Sequence, residues 1–392
     1  MSVDTSRMPG DNGGQAQVAS DGGSGMELQL PDAIASEEPL FRSRFGGLWI
    51  DRRDAHELLA GRLSRSEVTA KEAEALAHYI DHGYVIFPKV VGDEVIDAYL
   101  DLFELSWDEA PPSVYVHVER RVQHMSREIY DKITKVSSLH CCFDRAGELI
   151  FPSVVLRFLT LIYDRPPVAF QTMTMRKGSE EALHIDTGPL TLTEPMTMAA
   201  SWLALEDVRP GSGELQFVPG SHSVPEYLHP GVSKGHNNDM ATYGQVLEQT
   251  KGVCRDRGFT TERFEAKKGD VLIWHADLLH GGAKIEDHSS TRKSLVTHYM
   301  PLGVMPTFYD SSEESALRYP NGGYCLDHLE VITRKAAAAG NGAGESPSQA
   351  PIRLRRLKRY VPLPVRKVLR EQVDWLTSNP TLVSFGHSKG TR

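Results

Sequence analysis

The spacing of hydrophobic positions changes near residue 168. Before that point the pattern is helical: Thr69 and Glu72 form a capping-box pair, the run AEALAHYI (73–80) repeats apolar residues at helical spacing, and Gly83 stops the helix ahead of the strand-like YVIF. A second helix is predicted from Asp93 to Leu105, with helical structure continuing to about residue 135 through YVHVERRVQHMSREIY. From 168 onward the runs are short and β-like: VAFQTMTM, TMAASWLAL, ELQFVPGSH, DVLIWH and KSLVTHYM, punctuated by Pro, Gly, Asp and Asn. This pattern predicts a mainly β fold with flanking helices, a sandwich or jelly roll with the helices packed outside. The polar stretch from Ser223 to Thr261 reads as a long loop.

Both ends of the chain break the pattern. Residues 1–40 are rich in Gly, Ser, Asp and Gln without a sustained apolar period, which predicts a disordered arm. A flexible linker is expected at 336–350 (AAAAGNGAGESPSQA), leaving 41–335 as the principal domain and 351–392 as an extension. That extension contains PIRLRRLKRYVPLPVRKVLR, with eight basic residues and no acidic one. Such a segment suits an acidic partner or an anionic surface, although Pro362 and Pro364 interrupt any long amphipathic helix and a solvated tail is the simpler reading.

Composition narrows the functional classes. With 40% hydrophobic residues the 392-residue chain can bury a real core, and a net charge of -9 argues against general attraction to nucleic acid. The N-terminus has neither the basic start nor the apolar run of a secretory signal, and no segment supplies about 18 consecutive apolar residues, so a cytoplasmic protein without a transmembrane segment is expected. Four cysteines, Cys141, Cys142, Cys254 and Cys325, are too few and too irregular for a disulfide framework and are expected to be reduced. The pair within HCCF is expected to serve buried packing rather than metal binding.

Candidate chemistry begins at His184 and Asp186, two residues apart in HID, a spacing that places an imidazole and a carboxylate on one face of an extended segment. GDVLIWHADLLHGG then offers His275, Asp277 and His280, so a second His-x-Asp pair competes with the first. Taking all three ligands from His275, Asp277 and His280 would rest the site on a single loop. His184, Asp186 and His280 join two distant segments and supply two imidazoles and one carboxylate, a set associated with non-haem Fe(II). On residue types alone, satisfied polar side chains explain these positions equally well. Twelve positions beyond His280, Arg292 offers a planar fork for a carboxylate, and Ser294 follows it on a strand-like run.

In combination, HID at 184–186, SWLALED at 201–207, GSGELQFVPGSH at 211–222, GDVLIWHADLLHGG at 269–282 and Arg292 resemble the phytanoyl-CoA dioxygenase family of Fe(II)- and 2-oxoglutarate-dependent oxygenases. The resemblance spans about residues 75–305. It implies a double-stranded β-helix, a cupin-like jelly-roll barrel, with His184, Asp186 and His280 binding iron and Arg292, aided by Ser294, anchoring 2-oxoglutarate. It also suggests cosubstrate contacts from Trp202 and Gln171 and supporting positions for Thr187 and His298. In ordinary structural terms Trp202 is a core residue, Gln171 a polar residue at a sheet surface and Thr187 a β-former. His222 in the Pro-Gly-Ser-His turn is expected not to bind metal.

With Fe(II), 2-oxoglutarate and O2 as its reactants, the implied activity is oxidation of a C–H bond in a small molecule, with succinate and CO2 released. Asp186 favours hydroxylation, because halogenating relatives carry a small residue there. Two other classes compete: a non-catalytic jelly roll that binds a ligand or partner, and a zinc hydrolase or isomerase using the same ligands. Arg292 argues against the last, since a dicarboxylate anchor has no purpose in simple hydrolysis. Neither substrate identity nor oligomeric state is legible.

Overall fold

Local signals and tertiary pairing build the first third of the fold together. The computed structural model describes residues 40–111, 114–118, 121–224, 240–307 and 316–326; the arm expected before residue 40, the 336–350 linker and the 351–392 extension lie outside the described residues. Helix α1 (Ala55–Ser64) precedes α2 (Ala70–His82). The expected capping box opens α2: Thr69 Oγ1 accepts the Glu72 N–H at 3.2 Å, and the Glu72 carboxylate accepts the Thr69 N–H at 2.7 Å. Gly83 closes it at φ 78°, a left-handed conformation that glycine adopts without penalty, and leads into strand β1 (Tyr84–Phe87). Helix α3 (Asp93–Asp108) follows where expected and runs one turn longer.

Beyond α3 the helical expectation fails. Residues 115–124 form a hairpin of β2 (Tyr115–Val118) and β3 (Arg121–His124), followed by β4 (Lys135–Ser137). The physical signal was period two: Val116 and Val118 are buried while His117 between them is exposed. Helices α4 (Ala146–Ile150) and α5 (Ser153–Tyr163) then lead to the barrel strands β5 (Pro167–Met175), β6 (Ala199–Ala204) and β7 (Leu215–Phe217). The segment expected to be loop from Ser223 to Thr261 contains α6 (Met240–Asp256). After it come β8 (Glu262–Phe264), β9 (Val271–His275), β10 (His280–Gly282), β11 (Ser294–Pro301), β12 (Ala316–Arg318) and β13 (Tyr324–Leu326).

The strands make two sheets. The larger runs β1-β9-β6-β11-β5-β4-β2-β3, with β13 added beside β5; the smaller runs β10-β7-β8 and is extended by an antiparallel bridge between His184 and His280. Along the chain, β5, β6, β9 and β11 fall in the large sheet and the 184 segment, β7, β8 and β10 in the small one. This alternation between facing sheets is the double-stranded β-helix, so the expected jelly-roll class holds.

Pleating divides the large sheet into two apolar faces. Ala199, Leu203, Val271, Ile273, Leu295 and Tyr299 join the helices in an outer core. Ala200, Trp202, Leu272, Trp274 and Val296 face Leu215, Phe217 and Phe264 of the small sheet and fill the barrel. Among the described residues no helix is long and apolar enough to cross a membrane.

Candidate metal centre

One end of the barrel brings the first His-x-Asp pair to His280. The His184 and His280 backbones exchange hydrogen bonds of 2.9 and 3.0 Å, which fixes the two imidazoles side by side. Such close approach needs the glycines of HGG: a Cβ at Gly281 would be driven into the Glu181 carbonyl oxygen, and one at Gly282 into Ser179 Oγ and the Glu180 backbone. Asp186 is carried into the same space by its N–H, which donates to the Ala276 carbonyl at 2.8 Å. His184, Asp186 and His280 then each offer one donor atom, all within 4.8 Å of one another.

Each imidazole points a defined nitrogen inward. His184 Nδ1 lies 2.9 Å from the Ala182 carbonyl, and His280 Nδ1 lies 2.9 Å from the Leu278 carbonyl. A carbonyl accepts, so each Nδ1 carries the proton and each Nε2 presents a lone pair. Those Nε2 atoms sit 3.8 and 3.6 Å from Asp186 Oδ1. The second Asp186 oxygen is occupied: Oδ2 accepts the Trp274 indole N–H at 2.9 Å and lies 3.5 Å from His298 Nε2. In the sequence Trp274 is one residue of an apolar strand, yet it orients the carboxylate; period two in VLIWH, which puts Trp274 on the barrel side with Leu272, is the sequence signal for that role.

Electrostatics agree with a cation site. Burial alone would raise the Asp186 carboxyl, but the His280, His298 and His184 imidazoles overcome it and hold it well below the usual carboxylate range. Burial pulls His280 down to about 4 against the attraction of Asp186, so its ring is neutral at physiological pH and available as a ligand. Two neutral imidazoles and one carboxylate suit a divalent first-row metal, and the open side of such a facial set leaves positions for reactants.

The second His-x-Asp pair has other partners. His275 is 3% exposed; its Nε2 lies 3.0 Å from Asp51 Oδ1, and its Nδ1 accepts the Asp277 N–H at 3.1 Å. Asp277 in turn accepts the Thr187 hydroxyl. Thr187 therefore braces the residue after Asp186 against the 275–278 turn. His222 lies tilted against His275 at a 5.3 Å centroid separation with its Nε2 3.1 Å from the Ile80 carbonyl, and it is not one of the three converging donors.

A second feature lies along the barrel interior. Arg292 is 1% exposed, holds its backbone N–H on the Arg176 carbonyl at 2.9 Å, and sets its guanidinium 5.4 Å from the Trp202 ring centre. Burial lowers its pKa to about 10 despite Glu214 and Glu206 nearby, so it stays cationic at neutral pH. Arg292 Nε, Ser294 Oγ and Trp202 Nε1 are buried with no hydrogen-bond partner among the described residues. Buried donors of this kind are uncommon in a finished core, and a cationic fork among them fits a carboxylate-bearing ligand. Gln171 is half-buried on β5, opposite His298 in the β5–β11 register.

Residues 79–292 match the family model described as phytanoyl-CoA dioxygenase (PhyH), more than half of the chain. The chain belongs to this family. Relatives include peroxisomal phytanoyl-CoA dioxygenase of Bos taurus, 21% identical over 236 residues covering 56% of this chain and 66% of that one. Phytanoyl-CoA dioxygenase 1 of Oryza sativa subsp. japonica is 30% identical over 130 residues, 31% of this chain and 41% of that one. The corresponding Arabidopsis thaliana protein is 29% identical over 123 residues, 30% and 38% of the two chains. The chain thus spans between 38% and 66% of these relatives. Among solved structures, the α-ketoglutarate-dependent epimerase SnoN from nogalamycin biosynthesis has a TM-score of 0.46 at 18% identity, covering 66% of this chain and 98% of that one. EctD from S. alaskensis with bound Fe has a TM-score of 0.45 at 14% identity, covering 60% and 77%. At these scores the likeness adds nothing to the family match.

Proposed function

We propose that the chain is an Fe(II)- and 2-oxoglutarate-dependent dioxygenase that hydroxylates an unactivated C–H bond of a small molecule. The observation that carries this reading is the pairing of the convergent His184, Asp186 and His280 donors with a buried cationic Arg292 whose Nε has no partner among the described residues. Loaded with Fe(II), 2-oxoglutarate and O2, such a centre supplies an oxidant for the C–H bond and releases succinate and CO2.

The protein's own contribution is placement. His184 and His280 hold their Nε2 lone pairs inward through the carbonyls on Nδ1, and Trp274 pins one Asp186 oxygen, which leaves the other beside those lone pairs as the oxygen that would bind a metal. Arg292 and Ser294 are assigned to the far carboxylate of 2-oxoglutarate, with Trp202 and Gln171 alongside it. The apolar barrel around Trp202, Trp274 and Val296 keeps water from the reacting centre. His298 supports Asp186, and Thr187 supports the turn that follows β9.

As part of the same proposal, residues 41–335 form the catalytic unit, the 351–392 extension contacts an acidic partner or anionic surface, and the enzyme works in the cytoplasm. An anaerobic optical titration tests the activity. Adding Fe(II) and then 2-oxoglutarate should produce the metal-to-ligand charge-transfer band of a chelated keto acid, and the His184→Ala protein should lack it. A folded protein that shows no band under these conditions overturns the proposal and leaves a binding role.

A further inference from the structure

Outside the metal centre, the HCCF motif builds a second cluster of reactive groups. The cysteine pair is expected to be buried packing, and Cys142 does pack half-buried against the outer core, yet Cys141 is exposed beside the buried His140 and Cys325. His140, 1% exposed, lies in a single 3-10 turn (Leu139–Cys142) against the outer face of β5. Its Nε2 is 3.1 Å from Cys325 Sγ on β13 and 3.4 Å from Cys141 Sγ, while its Nδ1 is 2.6 Å from Thr172 Oγ1. Two thiols separated by 184 residues of sequence thus meet at one imidazole nitrogen, one from the surface and one from the interior.

The arrangement has a chemical consequence. In the tautomer where Nδ1–H donates to Thr172, Nε2 carries a lone pair that faces both sulfurs. A base within reach of an exposed thiol raises its thiolate fraction, which is the reactive species toward peroxide. A buried thiol beside the same nitrogen is positioned to attack whatever forms on the first sulfur. We propose that His140, Cys141 and Cys325 form a peroxide-responsive thiol–imidazole site, in which Cys141 is oxidised and Cys325 resolves it as a disulfide.

The electron balance closes with a peroxide as oxidant. Cys141 Sγ passes its proton to His140 Nε2 and attacks the peroxide; the O–O bond breaks, an S–O bond forms, and the leaving oxygen departs protonated as water or an alcohol. Cys325 Sγ then attacks the Cys141 sulfenic acid, the S–S bond forms, and water leaves. Two thiols lose two electrons and the peroxide gains them. A disulfide needs the sulfurs about 2.05 Å apart, so the two thiols, each now beside His140 Nε2, must leave that nitrogen and close on one another. Cys141, exposed at one position of a single turn, can make this movement more readily than Cys325 on β13, which is paired with β5 and with β12. The resulting bond would fasten β13 to the 139–142 turn, on the face of β5 opposite Met173 and Met175, which pack into the barrel.

The test uses the full-length reduced chain with a chelator present to suppress metal-catalysed decomposition of the peroxide. After hydrogen peroxide titration, peptides are mapped by mass spectrometry with and without dimedone. The proposal expects a Cys141–Cys325 linked peptide in the wild type. Cys325→Ser should replace it with dimedone-labelled Cys141, and Cys141→Ser should abolish both products. Alkylation of Cys141 by iodoacetamide near neutral pH should be about tenfold faster in the native chain than in urea, as an imidazole-assisted thiol requires. Cys141 reacting no faster when native than when unfolded overturns the proposal. So does a disulfide that joins Cys141 to Cys142 or to a second chain instead of Cys325.

Discussion

Replacing His275 with Ala separates the two His-x-Asp pairs more sharply than any other change. The substitution removes a ring that is 3% exposed and bridges Asp51 Oδ1 at 3.0 Å and the Asp277 N–H at 3.1 Å. What remains is a carboxylate 8% exposed, still holding the Leu48 N–H at 2.7 Å but stripped of its imidazole. Breaking a buried pair from one side typically destabilises by about 3–5 kcal/mol, and the retained Leu48 bond places this case toward the lower end, about 3 kcal/mol. A domain with about 5–15 kcal/mol of stability survives that loss folded. Asp51→Asn keeps the shape but turns one of the two accepting oxygens into an NH2 donor, so one of the bonds to His275 and Leu48 is lost and about 1–2 kcal/mol is expected there. Urea unfolding measures both as a fall in midpoint at constant slope, while anaerobic Fe(II) titration of the same samples should still find one equivalent bound. If His275→Ala lost its metal with an unchanged unfolding midpoint, His275 would be a ligand and the assignment of the two pairs would be reversed.

Four further outcomes follow from the same geometry. Asp186→Ala should lose metal binding with little change in far-UV circular dichroism, and a variant that still bound one Fe(II) tightly would remove Asp186 from the ligand set. Arg292→Ala should raise the 2-oxoglutarate concentration needed for half-maximal charge-transfer signal by about 100-fold, the scale of a lost charge-assisted contact of about 3 kcal/mol, without altering Fe(II) binding. Trp274→Phe keeps the apolar volume but deletes the N–H that holds Asp186 Oδ2 at 2.9 Å, so metal affinity should fall about tenfold. Burial, with repulsion from His275, lowers His222 to about 3. Its folded pKa therefore lies below its unfolded one, and the folded chain binds fewer protons between those values. Stability that is complete above about pH 6.5 should decline by about 1.4 kcal/mol per unit as pH falls toward 3, and His222→Gln should flatten that slope in acid unfolding.

How legible the fold was depended on whether local and tertiary signals coincided. Thr69, Glu72 and Gly83 bracket α2 because capping is a contest among neighbours, settled within a few residues. The barrel strands were legible for a related reason: two-sided burial makes VLIW apolar throughout and ASWLA apolar at every position but Ser201. The β2–β3 hairpin was missed because Asp93 to Leu105 set a helical period that was carried too far, past the alternation at Val116, His117 and Val118. Helix α6 was missed for the opposite reason. Among its described side chains it buries Tyr243 and Cys254, with Leu247 packed beside them, and Gly244 and Gly252 lower its intrinsic propensity, so tertiary contact stabilises what the local sequence does not.

The site shows the same division at closer range. His184-x-Asp186 and His275-x-Asp277 are indistinguishable as strings, and spacing gives each pair the same apparent capacity for metal. What distinguishes them is the company brought by the fold. The first pair meets His280 through the backbone bridge and finds Trp274 and His298 behind its carboxylate. The second meets Asp51 from before α1 and Thr187 from the metal loop, so both its members are occupied as struts. Neither set of partners lies close in sequence to the pair it serves. A buried imidazole with a hydrogen bond on each nitrogen has no lone pair left for a metal, whereas one held at Nδ1 by a carbonyl has Nε2 to offer. The second nitrogen of each histidine therefore decides which His-x-Asp can offer a ligand to a metal, and that is a property of the folded chain.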